Sequence, residues 1–375
     1  MMRWLEVLAV GVYTFQLTGS PLMVALITIA RFLPVMFFGA FAGAIAEQLN
    51  RRLLLLTGLA VLAATALTLG LLAWYDAIRL WHIAAGAVVS GIYFSGEFPV
   101  RRTMLGEIAG PRGIGTAMTL DSATNHTMRV FGPALGGLIF QTIGLHGVYF
   151  VGAAMFAVGF LLILRLPAGA GGHGGGSLRV LTQIREGLAF VRSQPHLLAT
   201  LCVTMIANVF GFPFATMVPV IGREVLDLSA FRIGTLQSAE GAGALLGAVA
   251  IASLVRPSMY VRLYVGGTAL FLAGVFAFAL SADYGASLAI LFIAGLGVSG
   301  FSAMQSTIVF AAAPAEMRSR VMGVLAVCIG TGPVGMLHLG LLADWLGAPL
   351  ALRIAAAEGL VALLVVLLVW RRLRR

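Results

Sequence analysis

The chain has 375 residues, 60% of them hydrophobic and 10% charged, with a mean hydropathy of +1.01. Soluble chains run about 45–50% apolar and about 25% charged, so a soluble enzyme with one membrane anchor is excluded, and the continuous apolar runs exclude an outer-membrane barrel, whose apolar residues alternate. All 24 basic residues are Arg and give a net charge of +10, but they scatter along the chain rather than forming the basic face that nucleic acid requires.

Apolar runs fall near 4–17, 21–46, 53–74, 79–98, 113–140, 146–165, 196–221, 231–255, 260–281, 284–311, 318–342 and 349–370. A spanning helix takes about 20 residues, so twelve spans use about 240 and leave only short connections. The predicted fold is all-α and polytopic, with a short first helix. Glu6 interrupts that first run and no small-x-small cleavage site follows, so it reads as a span rather than a signal peptide. Turn signals such as Thr18-Gly19-Ser20-Pro21 and Gly347-Ala348-Pro349 mark the connections. The 47 glycines suit close packing of helices in lipid. Cys202 and Cys328 lie in apolar segments without ligand-type spacing, so neither a disulfide nor a metal site is expected.

The longest connection, 166–195, opens with a glycine-rich linker containing His173. It continues as an amphipathic stretch in which Leu181, Ile184, Leu188 and Val191 share a face and Arg185 and Arg192 lie off it. That pattern suits a short helix in the cytoplasmic membrane interface. The loop divides the chain into an N-terminal six-helix bundle, 1–165, and a C-terminal one, 196–375. With a cytoplasmic N-terminus, 17 arginines fall on the inner side and 4 on the outer. The positive-inside rule then places both termini in the cytoplasm, with the chain in the cell (inner) membrane.

Landmarks repeat at an offset near 200. Gly132-Pro133-Ala134-Leu135-Gly136-Gly137 in the fifth span corresponds to Gly332-Pro333-Val334-Gly335 in the eleventh, and Gly39 and Gly43 correspond to Gly243 and Gly247. Paired bundles of this kind are a transporter design with the substrate site between them at the bilayer midplane.

The stretch Gly43-Ala44-Ile45-Ala46-Glu47-Gln48-Leu49-Asn50-Arg51-Arg52 resembles the loop signature of the major facilitator superfamily, Gly-x-x-x-Asp-Arg-x-Gly-Arg-Arg. Gly132, Pro133, Gly136 and Gly137 resemble that superfamily's antiporter motif. Thr18 to Pro21 and the block from Arg31 to Arg52 look like its efflux-type branch, which includes drug and siderophore exporters. The likeness covers nearly the whole chain, although family members usually carry one or two dozen more residues before Trp4, so the N-terminus looks truncated. Several positions depart from the pattern: Glu47, Gln48 and Asn50 replace Asp, Arg and Gly, Met128 stands where the antiporter motif has a glycine, and His82 falls near the expected fourth-helix Arg.

Charges within spans cost roughly 2.5–3.5 kcal/mol each on insertion scales and usually face a cavity or a partner. In the fifth span Asp121, Asn125 and Arg129 step by four and His126 lies beside them. Asp121 is either a proton carrier in the central cavity or a carboxylate near the inner side paired with a loop arginine. Arg31 and Glu240 sit at similar depths in the second and eighth spans, which the resemblance sets against each other. They form either a gate pair, or separate contacts in which Glu6 or Glu97 serves Arg31. The resemblance places Glu47 near the start of the eleventh helix as an inner latch, aided by Gly43, Arg51 and Arg52. Asn208, Gln237 and Gln305 are candidate cavity residues, and Glu97 and His126 are further proton-handling candidates.

The leading expectation is a proton-coupled exporter of amphipathic small molecules acting by alternating access. An uptake or facilitated-diffusion carrier of a metabolite is the first alternative, and a non-transporting sensor or assembly factor is the second. No enzyme activity, cofactor or metal is expected. The chain has no Lys and so cannot form a Gly-x-x-x-x-Gly-Lys-Ser/Thr loop for ATP. The partners implied are protons, a small-molecule substrate and lipid, and the family expectation is a monomer.

Overall fold

A computed structural model describes residues 2–48, 50–165 and 180–373, without the side chains of 38–48 and of scattered positions elsewhere. Among these residues the fold is all-helical, with fourteen α-helices. The first half holds α1 (Met2–Thr18), α2 (Pro21–Gln48), α3 (Arg51–Trp74), α4 (Leu80–Ile143) and α5 (Leu145–Leu164). After α6 (Val180–Arg192) come α7 (Pro195–Ile206), α8 (Phe214–Glu224), α9 (Ala230–Leu254), α10 (Tyr260–Phe278), α11 (Tyr284–Ala312), α12 (Ala315–Ile329), α13 (Gly332–Leu346) and α14 (Ala348–Leu373). Eight described segments are long and apolar enough to cross a membrane, and Pro21–Phe37 is a shorter apolar helix.

Three predicted elements differ in shape. The connection expected between 98 and 113 is helical on both sides of Gly110, whose φ of 63° turns the chain back on itself and makes α4 a hairpin of two arms. L side chains avoid that backbone region, and glycine enters it freely. The apolar run 196–221 is broken by a π-helical turn, Ala207–Gly211, between α7 and α8, and the run 318–342 is broken at Gly330-Thr331 between α12 and α13. The amphipathic stretch does form α6, but Val191 on its apolar face is fully buried with Leu197 and Val321, and Ile184 packs beside them. Glu186 also pairs with Arg320 at 3.1 Å. The helix therefore rests on α12 instead of presenting its whole apolar face to lipid.

In the first half α3 packs on α5, and α4 packs on both α1 and α2. In the second half α11 packs on α9 and α10, and α14 on α7 and α10. The halves meet through α4 with α9, α2 with α13, and α1 with α8. Most of the fully buried apolar side chains belong to the second half, in a cluster running from Phe214 to Ala356 that also takes in Leu8 and Val12 of α1. The Glu47 side chain and the surroundings of Gly43, the linker 166–179 with His173, and the last two arginines lie outside the described residues.

Candidate functional site

The turns near Gly19, Gly144 and Gly347 lie at the far end of the bundle, opposite the chain termini. Measured along the helices from that end at 1.5 Å per residue, Arg3, Glu6, Arg31, Phe94, Arg129 and Glu240 all lie about 15–22 Å deep. In a hydrocarbon core about 30 Å thick, that is a charged layer near the middle.

Two buried ion pairs organise the layer. Arg31 Nη2 of α2 lies 2.8 Å from Glu6 Oε1 of α1, with 6% and 7% of the two side chains exposed. Arg129 Nη2, on the second arm of α4, donates to Glu240 Oε1 at 2.6 Å and to Oε2 at 2.9 Å, joining the two halves. The expected Arg31–Glu240 gate pair is thus replaced by two others. Arg31 takes the alternative partner Glu6, because a short α1–α2 turn sets residues at similar distances from it side by side. Tyr149 lies beside Glu6 at a small cavity also lined by Thr65 and Ser90, with room for about one water. The Tyr149 hydroxyl is buried without a partner among the described residues.

Arg3 and Trp4 belong to this layer although the sequence reading passed over them. The Arg3 guanidinium carbon lies 5.5 Å from the Trp4 ring centre and 5.7 Å from those of Phe32 and Phe94. Arg129 approaches the same Trp4 ring at 5.5 Å. Their sequence signal was an Arg-Trp dipeptide one helical turn from Glu6, which a position near the chain start disguised as a flanking charge.

Asp121 stands elsewhere. Its carboxylate meets Arg101 and, at 3.4 Å, Arg102 across the hairpin at Gly110, and Arg101 also binds Glu97. About 31–33 Å along its helix from the far end, this cluster lies at the opposite margin of the core rather than in its middle. Asp121 is thus paired with arginines of its own hairpin, outside the central layer.

The Gly-Pro-x-x-Gly-Gly segment sits between the halves. A Cβ at Gly132 would come within 2.6 Å of Trp4 Cβ, and one at Gly136 would overlap the Leu5 backbone. On the opposite face, a Cβ at Gly137 would overlap the Ala230 carbonyl, and one at Gly234 would overlap the carbonyl of Pro133. The second arm of α4 is thereby held flush against α1 on one side and α9 on the other. Ala134 N donates to Ser238 Oγ at 3.2 Å and Phe231 N to Gln141 Oε1 at 3.2 Å. Ser20 Oγ donates to Asp344 Oδ1 at 2.8 Å between α2 and α13. In the corresponding Gly-Pro segment, a Cβ at Gly335 would clash with the backbone of Val209 in the π-helical turn, so span five meets span one much as span eleven meets span seven.

The remaining candidates are placed as follows. Asn125 is exposed and His126 half-buried. Asn208 donates to Thr204 O, one turn back on its own helix, at 2.9 Å. Gln237 donates to Ala215 O at 3.0 Å. Gln305 donates to Thr204 Oγ1 at 3.1 Å, and Thr204 meets the Tyr264 hydroxyl at 2.8 Å. Arg52 donates to Ile163 O and Leu164 O at the carboxyl end of α5, where a cation is favoured by the helix dipole, and Arg51 is half-buried. His82 accepts from Arg79 N at 3.0 Å and caps the start of α4, well away from the central layer.

The sequence model of a family described as transmembrane secretion effector, MFS_3, matches residues 2–374. The chain belongs to this family of major facilitator superfamily transporters. The transporter is a multi-pass membrane protein and not an enzyme. It is 29% identical over 355 residues to the multidrug efflux pump Tap of Mycolicibacterium fortuitum, covering 88% of this chain and 83% of the pump. It is 26% identical over 366 residues to the uncharacterized MFS-type transporter YfiS of Bacillus subtilis, covering 93% of this chain and 85% of that one. Over 348 residues it is 18% identical to macrolide efflux protein A of Streptococcus pyogenes, covering 91% and 85%. Its fold is similar to a variant of the nucleoside transporter NupG, with a TM-score of 0.75 at 13% identity over 98% of both chains. It is also similar to a bacterial homolog of the lysosomal transporter Spinster in an inward-facing, unoccupied conformation, with a TM-score of 0.72 at 15% identity over 98% of this chain and 92% of that one.

Proposed function

We propose that this transporter is a proton-coupled exporter of amphipathic small molecules, with twelve spans in two six-helix bundles, 1–165 and 196–375, joined by the segment 166–195. The observation that carries the reading is the buried Arg129–Glu240 pair between the halves, adjoining the Gly-Pro segment that holds α4 against α1 and α9. With both termini cytoplasmic, the far end faces outward and its interlocked helices close the outer side. With the outer end open, Glu240 is parted from Arg129 and takes a proton from outside. The outer end then closes over the neutral carboxyl, the proton leaves to the cytoplasm and the Arg129–Glu240 pair re-forms. Substrate entering from the inner side parts the pair again and opens the outer end, so a proton enters as substrate leaves. Similarity to efflux pumps for drugs and macrolides supports export over uptake, and membership of a transporter family leaves no support for a sensor or assembly role.

The test is transport in everted membrane vesicles energised by an acid-inside proton gradient, using ethidium, erythromycin and 2-naphthoate as probes. Gradient-driven accumulation of at least one probe, abolished by a protonophore and by Glu240→Gln, is the expected result. Accumulation insensitive to the protonophore removes proton coupling. Movement of probes only down their own gradients favours a facilitated carrier.

A further inference from the structure

Resting on this transport reading, we infer that the central site takes an anion: an amphipathic substrate with an aromatic or otherwise apolar body and one carboxylate or comparable oxyanion, held by Arg3. The charges at the central level do not balance. Arg3, Arg31 and Arg129 face Glu6 and Glu240, and each carboxylate is already committed, Glu6 to Arg31 and Glu240 to Arg129. The next carboxylate toward the inner side, Glu97, is bound by Arg101. Arg3 is left with its guanidinium between the rings of Trp4, Phe32 and Phe94 and, among the described residues, with no hydrogen bond or ion pair.

An arginine carries five N–H donors and stays charged, and ring faces offset only part of the cost of its burial. Its neighbours are also under-satisfied, since Arg31 Nη1 and Arg129 Nε are buried without partners among the described residues. Two guanidinium groups with free N–H, Arg3 and Arg129, therefore meet at one tryptophan, and Arg31 lies at the same level. A cationic substrate meets the one uncompensated like charge of this layer, and a neutral one leaves Arg3 unpaired. An oxyanion supplies the missing acceptor, in the planar two-point geometry that arginine favours for carboxylates, while the three rings receive an apolar body.

Equilibrium dialysis of the purified full chain in lipid nanodiscs tests this with three probes of one size: 2-naphthoate, 2-naphthamide and 2-naphthylmethylammonium, with empty nanodiscs correcting for partition into lipid. We expect saturable binding of naphthoate, binding of the amide about tenfold weaker or less, and none of the ammonium probe. Arg3→Gln should lower naphthoate to the level of the amide, and Arg3→Lys should keep the wild-type order. Equal or tighter binding of the amide or the ammonium probe overturns the inference, as does unchanged naphthoate binding in Arg3→Gln or no saturable binding of naphthoate. Should Arg3→Gln fail to fold, the wild-type ranking decides alone. Binding needs no gradient, so the two readings fail separately. A chain that binds naphthoate but moves no probe against a gradient sinks export and leaves the anion site, and one that exports ethidium while ignoring naphthoate does the reverse.

Discussion

Arg129 donates through one nitrogen to both carboxylate oxygens of Glu240, at 2.6 and 2.9 Å, and so ties the second arm of α4 to α9 across the two halves. Removing one partner of a buried pair leaves the other charge uncompensated, which costs about 3–5 kcal/mol. Arg129→Glu and Glu240→Arg should each abolish transport, and the double exchange should recover a measurable part of it in the vesicle assay. A double exchange no better than either single change would show that the contact does not matter to the cycle.

The Glu6–Arg31 pair makes a different prediction, because both residues lie in the same half. It is a static brace between α1 and α2, with both side chains buried. Glu6→Gln strands Arg31 and should destabilise the protein by about 3–5 kcal/mol, whereas Glu6→Leu combined with Arg31→Met should recover most of the loss. Thermal unfolding in detergent, followed by loss of the monodisperse peak on size-exclusion chromatography, reads both. A double variant as unstable as Glu6→Gln would count against simple charge compensation.

These pairs show what a sequence yields and where it stops. Which residues were charged within apolar runs was legible, since twelve runs and their interruptions are one-dimensional features. Pairing depends on helix neighbourhood. Glu6 and Arg31 lie 12 and 10 residues from the ends of the α1–α2 turn, and Arg101 and Asp121 lie 9 and 11 residues from Gly110; hairpin arithmetic alone favours both pairs over long-range ones. Arg129 and Glu240 are 111 residues apart, and no local rule brings them together. The Gly-Pro segment was legible as a motif, but its opposite faces against α1 and α9 emerge only from packing. Arg3 escaped notice because a charge near a chain end ordinarily reads as a flank, whereas here it shares the Trp4 ring with Arg129 in the central layer.

Asp121 should prove dispensable for coupling. Its partners Arg101 and Arg102 are partly exposed, at 29% and 43%, although the Asp121 carboxylate itself is buried; the arginines keep water and Glu97 as partners, so losing the charge-assisted contacts should cost about 1.5–3 kcal/mol. Asp121→Asn should therefore leave substrate-induced proton movement intact in the vesicles, with at most a modest fall in thermal midpoint. Loss of proton movement with substrate binding preserved would return Asp121 to the role of proton carrier.

The far-end seal can be tested without disturbing any charge in the central layer. Ser20 Oγ and Asp344 Oδ1 are 2.8 Å apart, at the start of α2 and near the end of α13, close enough for cysteines at both positions to approach disulfide geometry. Cys202 and Cys328 belong to α7 and α12 and are not exposed, so they offer little competition for the new bridge. Alternating access requires this end to open once per cycle, which means a covalent bridge should stop transport at whatever stage the end must part. Copper phenanthroline treatment of Ser20→Cys/Asp344→Cys should abolish vesicle transport, dithiothreitol should restore it, and neither single variant should respond. Full transport with the bridge formed, verified by a mobility shift on non-reducing gels, would mean that the far end does not separate between α2 and α13. The opening would then have to run between α4 and α9, where Gly137 and Gly234 bring the two backbones together.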